Sequence, residues 1–90
     1  MEITWDPNKA ATNFQKHGIH FSDAEHVLFD PYASTVEDVS SKGEQRHVTV
    51  GTDALGRLLI VVFTYRGNAV RLISARCATK KERRYYEAGI

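Results

Sequence analysis

Apolar positions in this chain change their period once, near Pro31. Up to that point they recur at helical spacing; beyond it they alternate or run together as in strands. EITW, residues 2–5, is short and β-prone, and Asp6-Pro7 reads as a cap followed by the proline that a first helical turn accepts. A helix is predicted from Pro7 to His17, with Ala10, Phe14 and His17 on one stripe and Gly18 as its left-handed exit. Ser22 with Glu25 forms a capping box, predicting a second helix through Val27, Leu28 and Phe29 that Asp30-Pro31 stops.

The extended part then reads as a strand over residues 32–39, a loop over 40–44, a strand over 45–51 and a turn, TDALG. RLLIVVFTYR is apolar on both sides and is therefore expected at the centre of the sheet. Gly67-Asn68 is a two-residue hairpin turn into AVRLISARC. The last helix begins after Thr79, whose capping partner is Glu82. The predicted fold is a single α+β domain over residues 1–90. Two N-terminal helices and one C-terminal helix gather against one face of an antiparallel sheet.

Composition supports one modest core: 90 residues, 42% apolar, with four Phe, four Tyr and one Trp. No leader pattern and no bilayer-length apolar run is evident, so a cytoplasmic location and no membrane association are expected. Lone Cys77 cannot form an internal disulfide or build a zinc knuckle, and reads as an inert strand-end thiol.

Charge changes the picture more. Residues 1–45 hold three Lys and no Arg against eight acids, net −5, whereas residues 46–90 hold nine basic residues against three acids, net +6. Seven of those nine are Arg, whose planar five-donor fork suits phosphate. A basic carboxyl half points to a polyanion or a strongly acidic partner.

A two-residue turn fixes register, so side-chain parity can be followed through the hairpin. Arg66 falls opposite Ala69 and Thr64 opposite Arg71, which puts Arg66, Thr64 and Arg71 on one side. Leu59, Val61, Phe63, Val70 and Leu72 take the other, beneath helices. Parity assigns Ser74 and Arg76 to that second side, emerging at the sheet margin, unless a bulge reverses them. Lys80 and Lys81 lie at a helix start, where cations are unfavourable by about 0.3 to 1 kcal/mol each. With Arg76 beside them they would form an anion site of side-chain charge and free N–H groups; extension into water is the plain alternative.

Arg83, Arg84, Tyr85 and Tyr86 mix charge with rings that can stack on unpaired bases, Tyr86 being expected to anchor the helix instead. His17, His20 and His26 read as packing or helix-end residues, and His47, next to Arg46, as a possible substrate contact. No HExxH, DxDxDG, Cys/His cluster or GxxxxGK loop occurs, and Glu37 and Asp38 point to opposite faces. No metal or cofactor is expected.

WDPNKAATNFQKHGI, FSDAEHVLFDP, GEQR with VTVG, LLIVVFTYRG and VRLISARCATKKERRYYE together resemble the BrnT family of type II toxins, small ribonucleases with a RelE-like fold. The likeness runs over almost the whole length. It implies RNA cleavage, inhibited translation and neutralisation by a BrnA-like antitoxin. That antitoxin's ribbon-helix-helix module would bind promoter DNA, which the toxin would reach only through the complex. The family's functional positions fall on Arg46, Thr64, Arg66, Arg71, Ser74 and Arg76, with Glu82 and Arg83 in the closing helix. Around the Thr-x-Arg stretch, where relatives carry a His and an acid, this chain has Phe63 and Tyr65.

Metal-free RNA cleavage requires in-line attack by the 2′-hydroxyl on its phosphorus, with charge building on the phosphoryl oxygens. Pre-placed donors stabilise that charge, each worth about 3 to 4 kcal/mol in comparable sites. Arg66, Arg71 and Arg76 are expected to do this. Arg46, Thr64, Ser74 and Lys80 would position substrate, helped by Lys81 and Arg83. Glu44, His47 and Tyr65 are the available acid-base groups. The alternative is a binding module that holds nucleic acid or an acidic partner without chemistry. A DNA-binding repressor has no helix-turn-helix pattern to support it.

Overall fold

In a computed structural model, which describes residues 1–38 and 43–89, the chain forms a five-stranded sheet in the order β1-β5-β4-β3-β2. The strands are β1 (Glu2–Thr4), β2 (Ser34–Asp38), β3 (Arg46–Thr52), β4 (Leu58–Arg66) and β5 (Ala69–Cys77). The helices are α1 (Pro7–His17), α2 (Phe21–Ala24) and α3 (Lys80–Ala88), with a 3₁₀ segment, Glu25–Phe29, continuing α2. Val39 of the expected strand and residues 40–42 of the expected loop lie outside the described residues. No described helix is long and apolar enough to cross a membrane.

β4 is central, as its apolar faces require. The sheet is antiparallel except that β1 joins β5 in parallel. Gly67 takes φ +59° and Asn68, like every described non-glycine residue, does not take a positive φ, so the β4–β5 turn is of the II′ kind.

Both faces of β4 are buried, which is why the helices divide between them rather than gathering on one. Leu59, Val61, Phe63, Val70, Leu72 and Ala75 meet Ile19, Phe21, Ala24 and Val27 beneath the N-terminal helices. Val50, Leu58 and Ile60, on the opposite face, meet Ala78 and Tyr86. Gly51 lets the 3₁₀ segment close on β3: a Cβ there would stand 3.0 Å from Val27 Cγ1 and 3.2 Å from Asp30 Oδ2.

Asp6 Oδ1 caps α1 at Asn8 N–H and Gly18, φ +70°, ends it. The second helix departs from expectation. It starts after His20, without a side-chain cap, and tightens to 3₁₀ at Glu25. Burial of Phe21 draws the start ahead of Ser22, which is exposed inside the turn. Phe14 also differs: it is 42% exposed and stacks on His20, while Asn13 is the buried residue of α1.

Asn13 completes the sheet. β1 covers β5 only as far as Arg71, leaving the outer edge beyond it without a strand neighbour. Asn13 Nδ2 donates to the Ala75 carbonyl at 2.9 Å and to the Ile19 carbonyl at 3.2 Å; its Oδ1 accepts from Ala75 N–H at 3.0 Å. One amide thus stands in for a residue of a sixth strand.

Candidate functional site

Register explains how the arginines come to share a face. Pairing runs Arg66↔Ala69, Thr64↔Arg71 and Phe63↔Leu72, then shifts, so that Val62 meets Ser74 and Ile60 meets Arg76. Ile73 is the extra residue. This bulge reverses parity for the rest of β5, bringing Ser74 and Arg76 onto the side of Arg66, Thr64 and Arg71 instead of the helix-covered side that simple alternation assigned. Arg46 joins from β3, since Val48↔Val62 places the even-numbered β3 residues on that face.

The result is a row across the sheet, Asp38↔Arg46 followed by Thr64↔Arg71 and Arg71↔Thr4. Adjacent strands are about 4.8 Å apart and same-face neighbours along a strand about 6.8 Å. Arg66 therefore lies one step outward from the row, Ser74 one step inward and Arg76 a further step, beside α3. Arg46 Nε is buried and has no hydrogen-bond partner among the described residues.

The guanidinium groups meet carboxylates of the same chain. Arg66 forks onto Glu44 at 2.9 and 3.1 Å. Arg76 forks onto Glu82, both contacts 2.9 Å. Arg71 lies 3.9 Å from Asp6, at the outer limit of an ion pair. The Arg66 hydrogen bond holds the Glu44 carboxyl below its ordinary range. The Arg76 hydrogen bond does the same to Glu82, lowering it to about 2, while Glu82 raises Arg76.

Glu82 also closes the capping box, accepting from Thr79 N–H at 2.8 Å while Thr79 Oγ1 accepts from Glu82 N–H at 3.2 Å. The anion site expected at the α3 start is thus filled by Glu82 itself. Lys80, Lys81 and Arg83 are exposed around it.

α3 is held over the sheet by Asp30, whose Oδ2 accepts from Tyr86 Oη at 2.7 Å, Thr52 N–H at 2.8 Å and Thr52 Oγ1 at 3.0 Å. Burial raises the Asp30 carboxyl, but the hydrogen bonds from Tyr86, Tyr32 and Thr52 together lower it. Tyr86 is the expected anchor, and Tyr85 stays exposed. Between α3 and the sheet runs a cleft of about 410 Å³, with Val36, Val48 and Ile60 as floor and Lys81, Glu82 and Tyr85 as rim. It adjoins the Arg46 row along β3 and offers an apolar, ring-edged seat for a planar group.

Three expected site residues do not reach this surface. Thr64 is 2% exposed and its Oγ1 donates to the Gln45 carbonyl at 2.6 Å, so it secures the segment carrying Glu44 rather than presenting a hydroxyl. His47 and Tyr65 point through the opposite face, because odd-numbered β3 and β4 residues face α1 and α2. There His47 stacks on Phe63 at 5.4 Å and meets Tyr65 edge-on at 5.1 Å. Among the described residues, no group of three or more His, Cys, Asp or Glu could hold a metal ion. Cys77 is a free, exposed thiol at the end of β5.

A family model described as the ribonuclease toxin, BrnT, of type II toxin-antitoxin systems matches residues 5–82. Among solved structures, the chain is similar to the Brucella abortus ribonuclease toxin BrnT, determined at 1.1 Å: 31% sequence identity, TM-score 0.69, covering 89% of this chain and 99% of that one. Comparison with curated proteins gives no match.

Proposed function

Since the chain belongs to the BrnT family of ribonuclease toxins of type II toxin-antitoxin systems, we propose that it cleaves RNA on its arginine face without a metal, by attack of the 2′-hydroxyl. The observation that carries this reading is the bulge at Ile73. It brings Ser74 and Arg76 to the side of the sheet that already carries Arg46, Arg66 and Arg71, next to a cleft large enough for a base.

In the proposed reaction a nucleobase enters the cleft against Tyr85, leaving its 3′-phosphate over the Arg46–Arg71 row. The 2′-oxygen bonds to phosphorus and gives its proton to Glu44. The bond from phosphorus to the 5′-oxygen breaks, and that oxygen takes a proton from water. The products are a 2′,3′-cyclic phosphate and a 5′-hydroxyl. Glu44 is the base of choice because His47 and Tyr65 face away; the Arg66 hydrogen bond that lowers its pKa keeps it ionised at a cost in basicity. Arg71 and Arg66 stabilise the phosphoryl oxygens, Arg46 supplies its unmet donor on turning toward them, and Ser74, Lys80, Lys81 and Arg83 position the strand. Arg76, already forked onto Glu82, acts with the protons that remain.

A type II toxin has an antitoxin partner. Here that partner is a BrnA-like ribbon-helix-helix protein that covers the arginine face and carries the complex to promoter DNA. Cleavage of cytoplasmic RNA would arrest translation.

Purified protein should cleave RNA in EDTA and leave a cyclic phosphate end, with Arg71→Ala and Arg76→Ala each losing at least about 100-fold in rate. Full activity in both variants overturns the assignment. One observation favours a binding module instead: Glu44, Glu82 and Asp6 already lie near three of the arginines. RNA binding without product would decide for it.

A further inference from the structure

The motif WDPNKAATNFQKHG is only partly explained by folding. Asp6 caps α1, Asn13 closes the edge of β5 and Gly18 provides the left-handed exit. Lys16 and His17 lie in the last turn of α1, where cations suit the helix dipole, and Lys9 has no such task. They are exposed, and with Thr12 they line one wall of a cleft of about 290 Å³ whose other wall is Ile73 and Ser74.

Position and charge both bear on what this cleft takes. Ile73 is the bulge residue, and Ser74 belongs to the arginine face, so the cleft opens from that face over the edge of β5. Lys9 and Lys16 are seven residues apart, two turns along one side of α1, which separates them by about 10.5 Å along the axis. No acidic residue lines the cleft. Arg66, Arg71 and Arg76 each have a carboxylate within 4.0 Å, and among the described residues neither lysine has one. Lys9 and Lys16 therefore add positive charge beside the site that no described carboxylate within 4.0 Å offsets, as Lys80, Lys81 and Arg83 do at the α3 end, and they do so in the half of the sequence whose net charge is negative.

We propose that this cleft is a second anchoring site for single-stranded RNA, in which Lys9 and Lys16 hold backbone phosphates outside the scissile linkage. The inference rests on the ribonuclease reading above and extends it. A polymer bound on the arginine face must leave across an edge of the sheet, and the bulged edge of β5 leads directly between these lysines. Ser74 adds a hydroxyl along the way, whereas the Thr12 hydroxyl donates to the Asn8 carbonyl at 3.0 Å. The contacts are to phosphate, so they contribute affinity without reading sequence.

The test uses the full chain with Lys9→Ala and Lys16→Ala combined, both side chains being exposed on a helix surface, where such changes move stability by about 0.5 kcal/mol or less. A fluorescently labelled single-stranded RNA oligonucleotide is the probe. KM should rise about tenfold while kcat is kept, and the slope of log affinity against log salt should fall by about 1.4, two phosphates at about 0.7 each. Arginine at both positions should restore both quantities.

Unchanged KM and salt slope in a variant whose parent cleaves the probe overturn the proposal. A fall in kcat that Arg does not restore overturns it as well. So does a variant that differs from its parent only in neutralisation by an acidic antitoxin segment, because the occupant would then be protein. If the parent yields no product, the ribonuclease reading fails separately. Fluorescence anisotropy of the same probe then reads the cleft alone, with weaker binding by the double variant sustaining it and equal binding refuting it.

Discussion

Asn13 shows how much a single amide can hold. Three hydrogen bonds at 2.9 to 3.2 Å tie it to Ala75 and Ile19, and it is 6% exposed, so water cannot replace what it supplies. Asn13→Ala leaves a backbone N–H and two carbonyls buried without partners, each worth about 1 kcal/mol or more. A loss of about 2 to 4 kcal/mol in unfolding free energy is expected from urea denaturation, and Asn13→Asp should recover little because the donor is missing. Sequence reading saw this residue only as a letter in a motif. Its partners are 6 and 62 residues away, and no local rule connects an amide in a helix to an open strand edge. The arginines were easier, since charge sorting is visible in composition. Their carboxylate partners were not: Glu44 reaches Arg66 across 22 positions, and only the fold brings them together.

At the level of elements, strand order around β4 and the β4–β5 register were legible because a tight turn sets alternation on both arms. Alternation then failed after Leu72. Ile73 is β-branched and apolar, an ordinary strand residue, so nothing in the sequence marks it as the inserted one, and parity counting sends Ser74 and Arg76 to the wrong side. The start of α3 was legible from Thr79 and Glu82, but the fork from Arg76 onto the same carboxylate was not. That fork makes α3 docking pH-dependent. The Glu82 pKa is lowered from 4.5 to about 2, chiefly by the Arg76 hydrogen bond, so its contribution is complete above the unfolded value and disappears as pH falls through the folded one. Glu82→Gln keeps the capping geometry and removes the charge. The variant should be less stable by about 1 kcal/mol at neutral pH, a value set low because the Arg76 side chain is 41% exposed. Paired urea titrations should show that difference shrinking between pH 4.5 and about 2.

Over the whole molecule, the division of charge between the two halves has a structural side as well as a binding one. Asp23 with Arg57, Glu44 with Arg66 and Asp6 with Arg71 join an acid of the first half to an arginine of the second. The arginine face consequently carries its own competing anions, and RNA must displace them or share the cations with them. Glu44 tests which description holds. As a competitor, it weakens RNA binding simply by neutralising Arg66; as a base, it is needed for the 2′-hydroxyl proton. Glu44→Gln removes the charge in either role, so binding should tighten, about threefold to tenfold at low salt and less at high salt, because the pair is exposed and screened. The cleavage rate separates the two. Loss of about 100-fold to 10,000-fold in kcat alongside tighter binding identifies Glu44 as the proton acceptor. A kcat that holds or rises makes the carboxylate a gate over Arg66 and leaves the arginines to act with water as base, a distinction that single-turnover cleavage and anisotropy on one RNA would settle together.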